Sequence, residues 1–343
     1  MTSAIVVHNH FDRAWPWSGD HFHDLWKAQG PVLFERMAHG DDRTLGAVLA
    51  ESQGAAPETI QRLACLGVQA ERACLESLPT LREATFQGRG SLSEEDRDYL
   101  RGKGVALYNQ TSEGFWGQSV AECALALTLC GLRRIPQLHH EIISSKAPWD
   151  YSPPAGVGTP GGRGGQYCDD PSFTHGTLAG KRVRVAGAGN IGSRYAHFAT
   201  ALGAEVAMYD PFATEQAFHR SGARREHYLE RLVEDAEIFA PTIPLSDATR
   251  GVITAAHIDA LPKGCLLVLI TRAGVCDTEA VRRRVLADEL SLAADVWDVE
   301  PLPLDDPFLN RHNVVHTPHI AGRTADSNRA WSQGLVDQFK PVQ

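Results

Sequence analysis

Three side chains suited to proton transfer and carboxylate binding follow late strands of the sequence: Arg272, Glu300 and His319. Histidine changes its charge near neutral pH, and a carboxylate beside it fixes its tautomer and favours the charged ring. Arginine can hold a carboxylate with two hydrogen bonds. Taken singly, the three have ordinary alternatives: a surface cation, a solvated charge and a buried structural histidine. If their strand ends share one crevice, they suit hydride transfer between a nicotinamide and a hydroxy acid.

A second motif predicts a dinucleotide site in the stretch 180–211. After a β run at 182–186 comes a G-x-G-x-x-G turn made by Gly187, Gly189 and Gly192. The three glycines allow, in order, a tight turn, close approach of the backbone to a pyrophosphate, and packing of helix on strand. Asp210 ends the next strand, 21 residues after Gly189, near the ~20 expected for the carboxylate that binds the ribose. The motif alone also fits a glycine-rich turn of an unrelated α/β protein, but this register favours the dinucleotide site.

Asp210 also predicts which coenzyme is bound. Its carboxylate would repel the 2′-phosphate of NADP, and residues 211–214 contain no Arg or Lys. We therefore expect NAD as the cofactor, with NADH preferred over NADPH.

The elements around these motifs alternate between strand and helix. Strands are predicted at 4–8, 32–35, 60–66 and 81–86, with helices at 21–28, 43–51 and 73–78, which indicates a small parallel-sheet domain. Later strands at 238–242, 265–270, 290–295 and 314–316 complete a doubly wound sheet around the glycine turn.

Three other segments separate these elements. An apolar helix is predicted at 119–134, and the glycine- and proline-rich stretch 147–177 is predicted to be an irregular loop that is functional or disordered. Residues 8–17 are predicted to be an aromatic loop, which either lines a pocket or packs locally.

Composition limits the class of protein. A chain of 343 residues, 43% of them hydrophobic and 22% charged, is long enough for two globular domains. The net charge of −9 argues against a nucleic-acid partner, and the pairs Arg133-Arg134 and Arg224-Arg225 are interpreted as solvated helix ends.

The sequence has no apolar run of 18 residues and no charged signal region, so we expect no membrane association and a cytoplasmic location. Seven cysteines without C-x-x-C indicate reduced thiols, and the histidines lack metal-ligand spacing, so no catalytic metal is expected.

Together these motifs carry a resemblance to a known family. The stretches GAGNIG with YDP, APTIPLSDATRG, LITRAGVCD, ADVWDVEPLPLDDP and NVVHTPHIAG resemble the D-isomer-specific 2-hydroxyacid dehydrogenases, as do Asn109 and SVAECALAL upstream. The resemblance implies two Rossmann-like or flavodoxin-like doubly wound α/β domains with the active site in the cleft between them. Residues 1–114 would form the substrate domain, completed by a C-terminal helix within 323–343. Residues 115–322 would form the NAD-binding Rossmann domain, through which the family commonly makes homodimers.

The resemblance also implies roles for individual residues. His319 would donate a proton to the keto oxygen while NADH delivers hydride, Glu300 would pair with His319, and Arg272 would hold the substrate. The residues expected to contact NAD are Gly187, Gly189, Asn190, Ile191, Gly192, Asp210, Ile243, Pro244, Thr249, Ile270, Thr271, Arg272, Asp295, His319 and Gly322.

The expected substrate loop departs from the family pattern. Gly88 and Gly90 could offer backbone N–H groups to a carboxylate, with Arg89 between them, although a plain turn fits the same residues. The family usually has a glycine, an aromatic residue and Asp-Asn in this loop. It also often has His where Thr242 stands and Asn where Leu269 stands. We expect Gly88, Arg89, Gly90, Arg272 and His319 to bind the substrate, and Arg89 suggests a second anionic or strongly polar group on it.

The leading prediction is an NAD-dependent oxidoreductase that interconverts a D-2-hydroxy acid and its 2-keto acid, working as a 2-ketoacid reductase. One alternative is a non-catalytic, corepressor-like protein that senses NAD(H), against which the intact Arg272, Glu300 and His319 argue. Another is a formate or phosphite oxidiser on the same scaffold. The sequence context of His319 resembles formate dehydrogenases less.

Overall fold

The chain divides into two compact units. The structure, a computed structural model, describes residues 2–54, 56–88, 92–110, 114–149 and 169–341. The first unit is Met1–Phe115 with Arg323–Gln343, and the second unit is Trp116–Gly322. Each unit contains a parallel sheet flanked by helices, so the prediction of an α/β protein is confirmed.

The described strands form two sheets, one in each unit. The strands of the first unit are β1 (Thr2–Val7), β2 (Val32–Arg36), β3 (Ile60–Leu66), β4 (Glu83–Gln87) and β5 (Ala106–Tyr108). The strands of the second unit are β6 (Arg182–Ala186), β7 (Glu205–Tyr209), β8 (Arg224–Glu226), β9 (Ile238–Pro241), β10 (Leu266–Leu269), β11 (Ser291–Ala294) and β12 (Val314–His316).

Helices connect most of these strands. In the first unit they are α1 (Asn9–Ala14), α2 (Ser18–Lys27), α3 (Leu45–Glu51), α4 (Arg72–Glu76) and α5 (Glu94–Gly102). In the second unit they are α6 (Gly117–Arg133), α7 (Ile135–Ser144), α8 (Asn190–Ala201), α9 (Glu215–Ser221), α10 (Leu229–Glu234), α11 (Ala255–Ala260) and α12 (Thr278–Leu286). The last helix, α13 (Ala325–Val336), belongs to the first unit.

Both sheets have the order of a doubly wound fold. The first runs β2-β1-β3-β4-β5 and the second β12-β11-β10-β9-β6-β7-β8, and the paired strands are parallel. Strands β10 and β11, with the sequences LLVL and SLAA, are buried along their whole length. Such continuous burial is expected for parallel strands with helices on both faces of the sheet.

Helix α13 returns the chain to the first unit and packs beside α2. Its Trp331 ring lies 5.0 Å from the Phe11 ring. The Ser18 hydroxyl donates to the Asn328 carbonyl at 3.1 Å, and the Ser332 hydroxyl donates to the Ser18 carbonyl at 2.8 Å. These buried hydrogen bonds and rings fix α13 to a helix that lies some 300 residues earlier in the chain.

The structure corrects several predicted elements. The segment 8–17, predicted to be a loop, contains helix α1: the His8 ring accepts a hydrogen bond from the His10 N–H at its start, and Phe11 is buried beneath it. Arg224 and Arg225 lie in strand β8 rather than at a helix end. Elements α5, β5 and α7 were not predicted. Helix α5 is highly charged, and strand β5 has only three residues, so neither has a clear apolar pattern.

Only the ends of the predicted loop 147–177 are described. Residues Ala147–Trp149 form one 3-10 turn. Residues 169–177 contain a turn at 171–172 and no helix or strand, and residues 150–168 lie outside the described part. Across the described ranges, no helix has the length and apolarity needed to cross a membrane. The six described cysteines are all free.

Candidate active site

The glycine turn has the geometry that its sequence predicts. Gly187 follows β6 with a φ of +103°, a left-handed conformation that favours glycine. A Cβ atom on Gly192 would lie 2.0 Å from the Gly187 carbonyl oxygen and 2.3 Å from the Thr242 hydroxyl. Glycine is therefore needed at 192 for α8 to begin this close to the end of the sheet.

The second glycine leaves open space at the start of α8. Gly189 is the N-cap of α8, and a Cβ atom there would have no neighbour within 4 Å. The first N–H groups of a helix have no partner within it, and they attract anions. This part of the turn can therefore accept a phosphate group.

Asp210 directly follows β7 and lies beside this turn. One carboxylate oxygen accepts the Ala188 N–H at 2.8 Å, and the other accepts the N–H groups of Phe212 at 2.8 Å and Ala213 at 3.0 Å. The carboxylate is thus fixed next to the glycine turn, where a dinucleotide site requires it.

Arg272, Glu300 and His319 lie together in the second unit. The His319 Nδ1 atom lies 2.7 Å from a Glu300 carboxylate oxygen, and Nε2 lies 3.5 Å from an Arg272 Nη atom. Because an ionised carboxylate only accepts, Nδ1 carries the hydrogen in this pair. The other ring nitrogen, Nε2, which lies beside Arg272, is the one that can exchange a proton. About a third of each of the His319 and Glu300 side chains is exposed, which leaves access for a small molecule.

Three adjacent strands bring these residues to one edge of the sheet. In the register of the sheet, Leu269 of β10 pairs with Ala294 of β11, which pairs with His316 of β12. Arg272, Glu300 and His319 each follow one of these aligned strand ends. The spacing of the sequence could not specify this alignment, which depends on strand order.

Glu300 is held in its ionised form. Burial raises the pKa of its carboxyl. Hydrogen bonds from His319 and from the Trp297 N–H, together with the charge of Arg272, lower the pKa by more than burial raises it, so the pKa lies below its ordinary value. The Trp297 N–H donates to Glu300 at 2.9 Å. Glu300 therefore stays negative at neutral pH and can stabilise a positive charge on His319.

Asp295 holds the segment that carries His319. It is fully buried, and its carboxylate accepts the Thr317 hydroxyl at 2.6 Å and the N–H groups of Ile320 at 2.9 Å and Ala321 at 2.8 Å. His319 has a φ of +56°, a conformation that costs a non-glycine residue roughly 1–3 kcal/mol. The hydrogen bonds to Asp295 on both sides of His319 sustain that conformation.

The other residues predicted to contact NAD lie in the second unit. Thr271 donates to the Ile243 carbonyl at 3.2 Å and so connects the loops after β9 and β10. Thr249 donates to the Pro244 carbonyl at 2.6 Å within the loop after β9. Ile270 is buried, and Ile191 is half-buried. Asn190 begins α8, and Gly322 lies against α6. Their contacts with the coenzyme stay a prediction.

The comparison with family models decides the affiliation of the second unit. Residues 159–321 match the model of the D-isomer specific 2-hydroxyacid dehydrogenase, NAD binding domain. This stretch of the second unit therefore resembles the NAD-binding domain of the D-isomer-specific 2-hydroxyacid dehydrogenases. The matched domain is an NAD-binding one, which indicates NAD(H) as the coenzyme.

Individual relatives extend the comparison. The chain is 26% identical over 277 residues to a D-3-phosphoglycerate dehydrogenase of Methanocaldococcus jannaschii, an alignment of 80% of this chain and 48% of that protein. It is 28% identical over 252 residues to a hydroxypyruvate reductase of Thermotoga maritima, covering 72% and 73% of the two chains. The chain spans about half the length, or less, of the phosphoglycerate dehydrogenases that it matches.

A solved structure shows the same fold over nearly the whole chain. The 2-hydroxyacid dehydrogenase of Ketogulonicigenium vulgare Y25 superposes with a TM-score of 0.65 at 25% identity, covering 98% of this chain and 94% of that one. The two-unit Rossmann-like fold is therefore that of the 2-hydroxyacid dehydrogenase family.

The expected substrate loop, residues 88–90, is described only at its first residue. Gly88 follows β4 with a φ of +81°, and a Cβ atom there would lie 3.6 Å from both Gly67 and the Phe11 ring. Arg89 and Gly90 lie outside the described residues. Their predicted contact with the substrate stays a prediction.

Trp297 is a site residue that the sequence argument missed. Besides its backbone bond to Glu300, its indole N–H donates to the Thr317 carbonyl at 3.1 Å. It therefore connects the loop that carries Glu300 with the segment that carries His319. Its position between Asp295 and Glu300 was the available signal, but an aromatic residue there also fits simple packing.

Proposed function

We propose that this protein is an NAD-dependent oxidoreductase that interconverts a D-2-hydroxy acid and its 2-keto acid, acting mainly as a 2-ketoacid reductase. The observation that carries the proposal is the 2.7 Å contact of His319 with Glu300, beside Arg272, at the same sheet edge as the glycine turn. A dinucleotide site and a proton-transfer pair at one edge match what hydride transfer requires.

The residues of the glycine turn fit the coenzyme. Gly189 leaves room for phosphate at the start of α8, and the Asp210 carboxylate is fixed beside it, available to the ribose hydroxyls. NAD, when bound, supplies or accepts the hydride. The negative charge of Asp210 opposes a 2′-phosphate, so NADH is preferred over NADPH.

His319 and Arg272 divide the work on the substrate. The Nε2 atom of His319 donates a proton to the keto oxygen, while Glu300 holds the hydrogen on Nδ1 and stabilises the charged ring. Arg272 binds the substrate carboxylate and polarises the neighbouring carbonyl, with one of its Nη atoms held by the Thr271 carbonyl at 2.6 Å.

The test is NADH oxidation at 340 nm with glyoxylate, hydroxypyruvate, pyruvate, phenylpyruvate and oxaloacetate, repeated with NADPH. Turnover with NADH that is lost in His319→Gln supports the proposal. NADH binding without turnover on any substrate would favour the NAD-sensing alternative. Reduction of NAD by formate or phosphite would favour the formate or phosphite oxidiser. Full turnover in His319→Gln would contradict the mechanism.

Arg89 sets the class of substrate in this proposal. A cation between two glycines after β4 suits a second anionic or strongly polar group on the substrate. Arg89→Ala is expected to weaken oxaloacetate more than pyruvate in kcat/KM. An equal loss on both substrates would contradict this assignment.

We also propose a homodimer formed through the second unit. Helix α7 has no buried residue, and its apolar side chains Ile135, Ile142 and Ile143 are exposed, the last by 73%. Trp149, just after it, is 59% exposed. Helical faces this apolar are uncommon on monomers and mark protein contacts.

Light scattering after size exclusion tests the dimer. The wild type is expected at twice the chain mass of 37.4 kDa, and Ile142→Glu with Ile143→Glu is expected at the single mass. Leu202→Glu, another exposed apolar position, is the matched control and should stay dimeric. A monomeric wild type would contradict the proposal.

The proposed location is the cytoplasm, since all six described cysteines are free. Cell fractionation is expected to recover the protein with cytoplasmic markers.

A further inference from the structure

Arg282 on helix α12 binds two carboxylates of the loop that carries Glu300. Its Nε and Nη2 atoms donate to the two Asp298 oxygens at 2.7 and 2.8 Å, a bidentate pair. Nη2 and Nη1 also donate to the two Asp306 oxygens at 2.8 and 3.3 Å. The guanidinium lies over the Phe308 ring at 4.6 Å.

The loop needs such contacts to hold one conformation. Residues 297–308 have no helix or strand, and they form the middle part of the connection between β11 and β12. Glu300 lies between the two carboxylates that Arg282 binds. The loop is thus fixed by side chains at Asp298 and Asp306, and by the indole of Trp297 on Thr317.

The ion pairs of Arg282 are partly buried, so solvent screens them less than it screens surface pairs. Arg282 and Asp298 are each about one quarter exposed, and Asp306 is only 7% exposed. Hydrogen bonds from Arg282 lower the pKa of Asp298 against the effect of burial. Burial raises the pKa of Asp306, but its hydrogen bonds from Arg282 and the Phe308 N–H outweigh that effect. Without Arg282, Asp298 and Asp306 would lose their common cation and repel each other.

We propose that Arg282 is a positioning residue for the reaction: it holds loop 297–308 so that Glu300 meets His319. This inference rests on the proposed function. Arg282 does not touch the reacting atoms, and it acts through Asp298, Asp306 and the backbone bond from Trp297 to Glu300.

The chain provides a matched control one residue away. Arg283, on the same helix, pairs with Asp259 at 2.7 Å. Within the described residues, neither side chain forms a hydrogen bond or ion pair with loop 297–308. Arg282→Met and Arg283→Met therefore remove the same charge from the same helix, and only the first releases the loop. Arg282→Lys keeps the charge but not the bidentate geometry.

Two readouts separate positioning from stability. Arg282→Met is expected to lower kcat roughly 100-fold, the loss that a small misplacement of a catalytic group can cause. The KM for NADH should be unchanged, and Arg282→Lys should recover part of the rate.

The second readout is the pKa of the Glu300 carboxyl, followed by carbon NMR with labelled glutamate and assigned by loss of the signal in Glu300→Gln. The charged groups facing this carboxyl are His319 and Arg272.

The Glu300 pKa should rise towards its ordinary value in Arg282→Met and stay unchanged in Arg283→Met. An identical Glu300 pKa and kcat in both methionine variants would overturn the inference. If Arg282→Met does not fold, Arg282→Lys and Asp306→Asn carry the same comparison. The titration needs no turnover, so a wild type without activity would contradict the proposed function and leave the positioning test decisive on its own.

Discussion

At the scale of single residues, the site depends on one carboxylate that stays charged. Glu300 has a pKa below its ordinary value because His319, Trp297 and Arg272 favour its ionised form more than burial opposes it. A group whose pKa is lower in the folded state stabilises the fold above its unfolded-state pKa, and that contribution disappears as pH falls through the folded value.

Glu300→Gln should therefore lose rate and acid sensitivity together. Without the charge, protonated His319 is less stable, and kcat should fall by up to roughly 10²–10⁴, the factor that general acid–base catalysis supplies. The difference in melting temperature between wild type and variant should shrink as pH falls below about 4.3, the ordinary glutamate pKa. Calorimetry from pH 7 to pH 3.5 measures it; a difference independent of pH would contradict the role given to the charge.

Asp295→Asn should disturb His319 without touching substrate. An amide cannot accept all three hydrogen bonds that the carboxylate accepts, so one buried donor is left unpaired at a cost of roughly 1–3 kcal/mol. We expect a lower melting temperature and a lower kcat. Thr317→Val, which removes one of the three bonds, should have a smaller effect on both, and a larger effect there would contradict this explanation.

At the scale of elements, the turn between β6 and α8 separates two uses of glycine. Gly192→Ala would place a methyl group 2.0 Å from a backbone oxygen, and overpacking of this kind costs roughly 1–3 kcal/mol. Gly189→Ala meets nothing within 4 Å. We expect Gly192→Ala to lower both stability and NADH affinity, and Gly189→Ala to lower NADH affinity alone. Calorimetry and NADH fluorescence titration distinguish them, and unchanged NADH affinity in Gly189→Ala would contradict the phosphate position.

At the scale of the whole molecule, the last helix completes the core of the first unit. Trp331 is buried against Phe11, so Trp331→Ala should cost roughly 3–5 kcal/mol of unfolding free energy. Arg329→Ala, on the exposed side of α13, should change it by less than about 0.5 kcal/mol. Urea unfolding measures both, and equal values would show that α13 adds little to this core.

The sequence by itself determined the features that local patterns encode. Strands β3, β6 and β12 have the predicted bounds, because short runs of apolar residues are a local property of the sequence. The glycine turn was predictable because its three glycines answer steric demands within a few residues. Arg272, Glu300 and His319 were found because each follows a strand, and parallel strands end at one edge.

Only the tertiary structure decided which side chains meet. Helix α1 replaces a predicted loop because Phe11 is buried in the core of the first unit, which residues 8–17 alone do not reveal. Asp298 and Asp306 lie 16 and 24 residues from Arg282, and Thr317 lies 22 residues from Asp295. No periodicity links residues at such distances. Their pairing depends on strand order and register, which are set when the strands assemble into the sheet and pack against the helices.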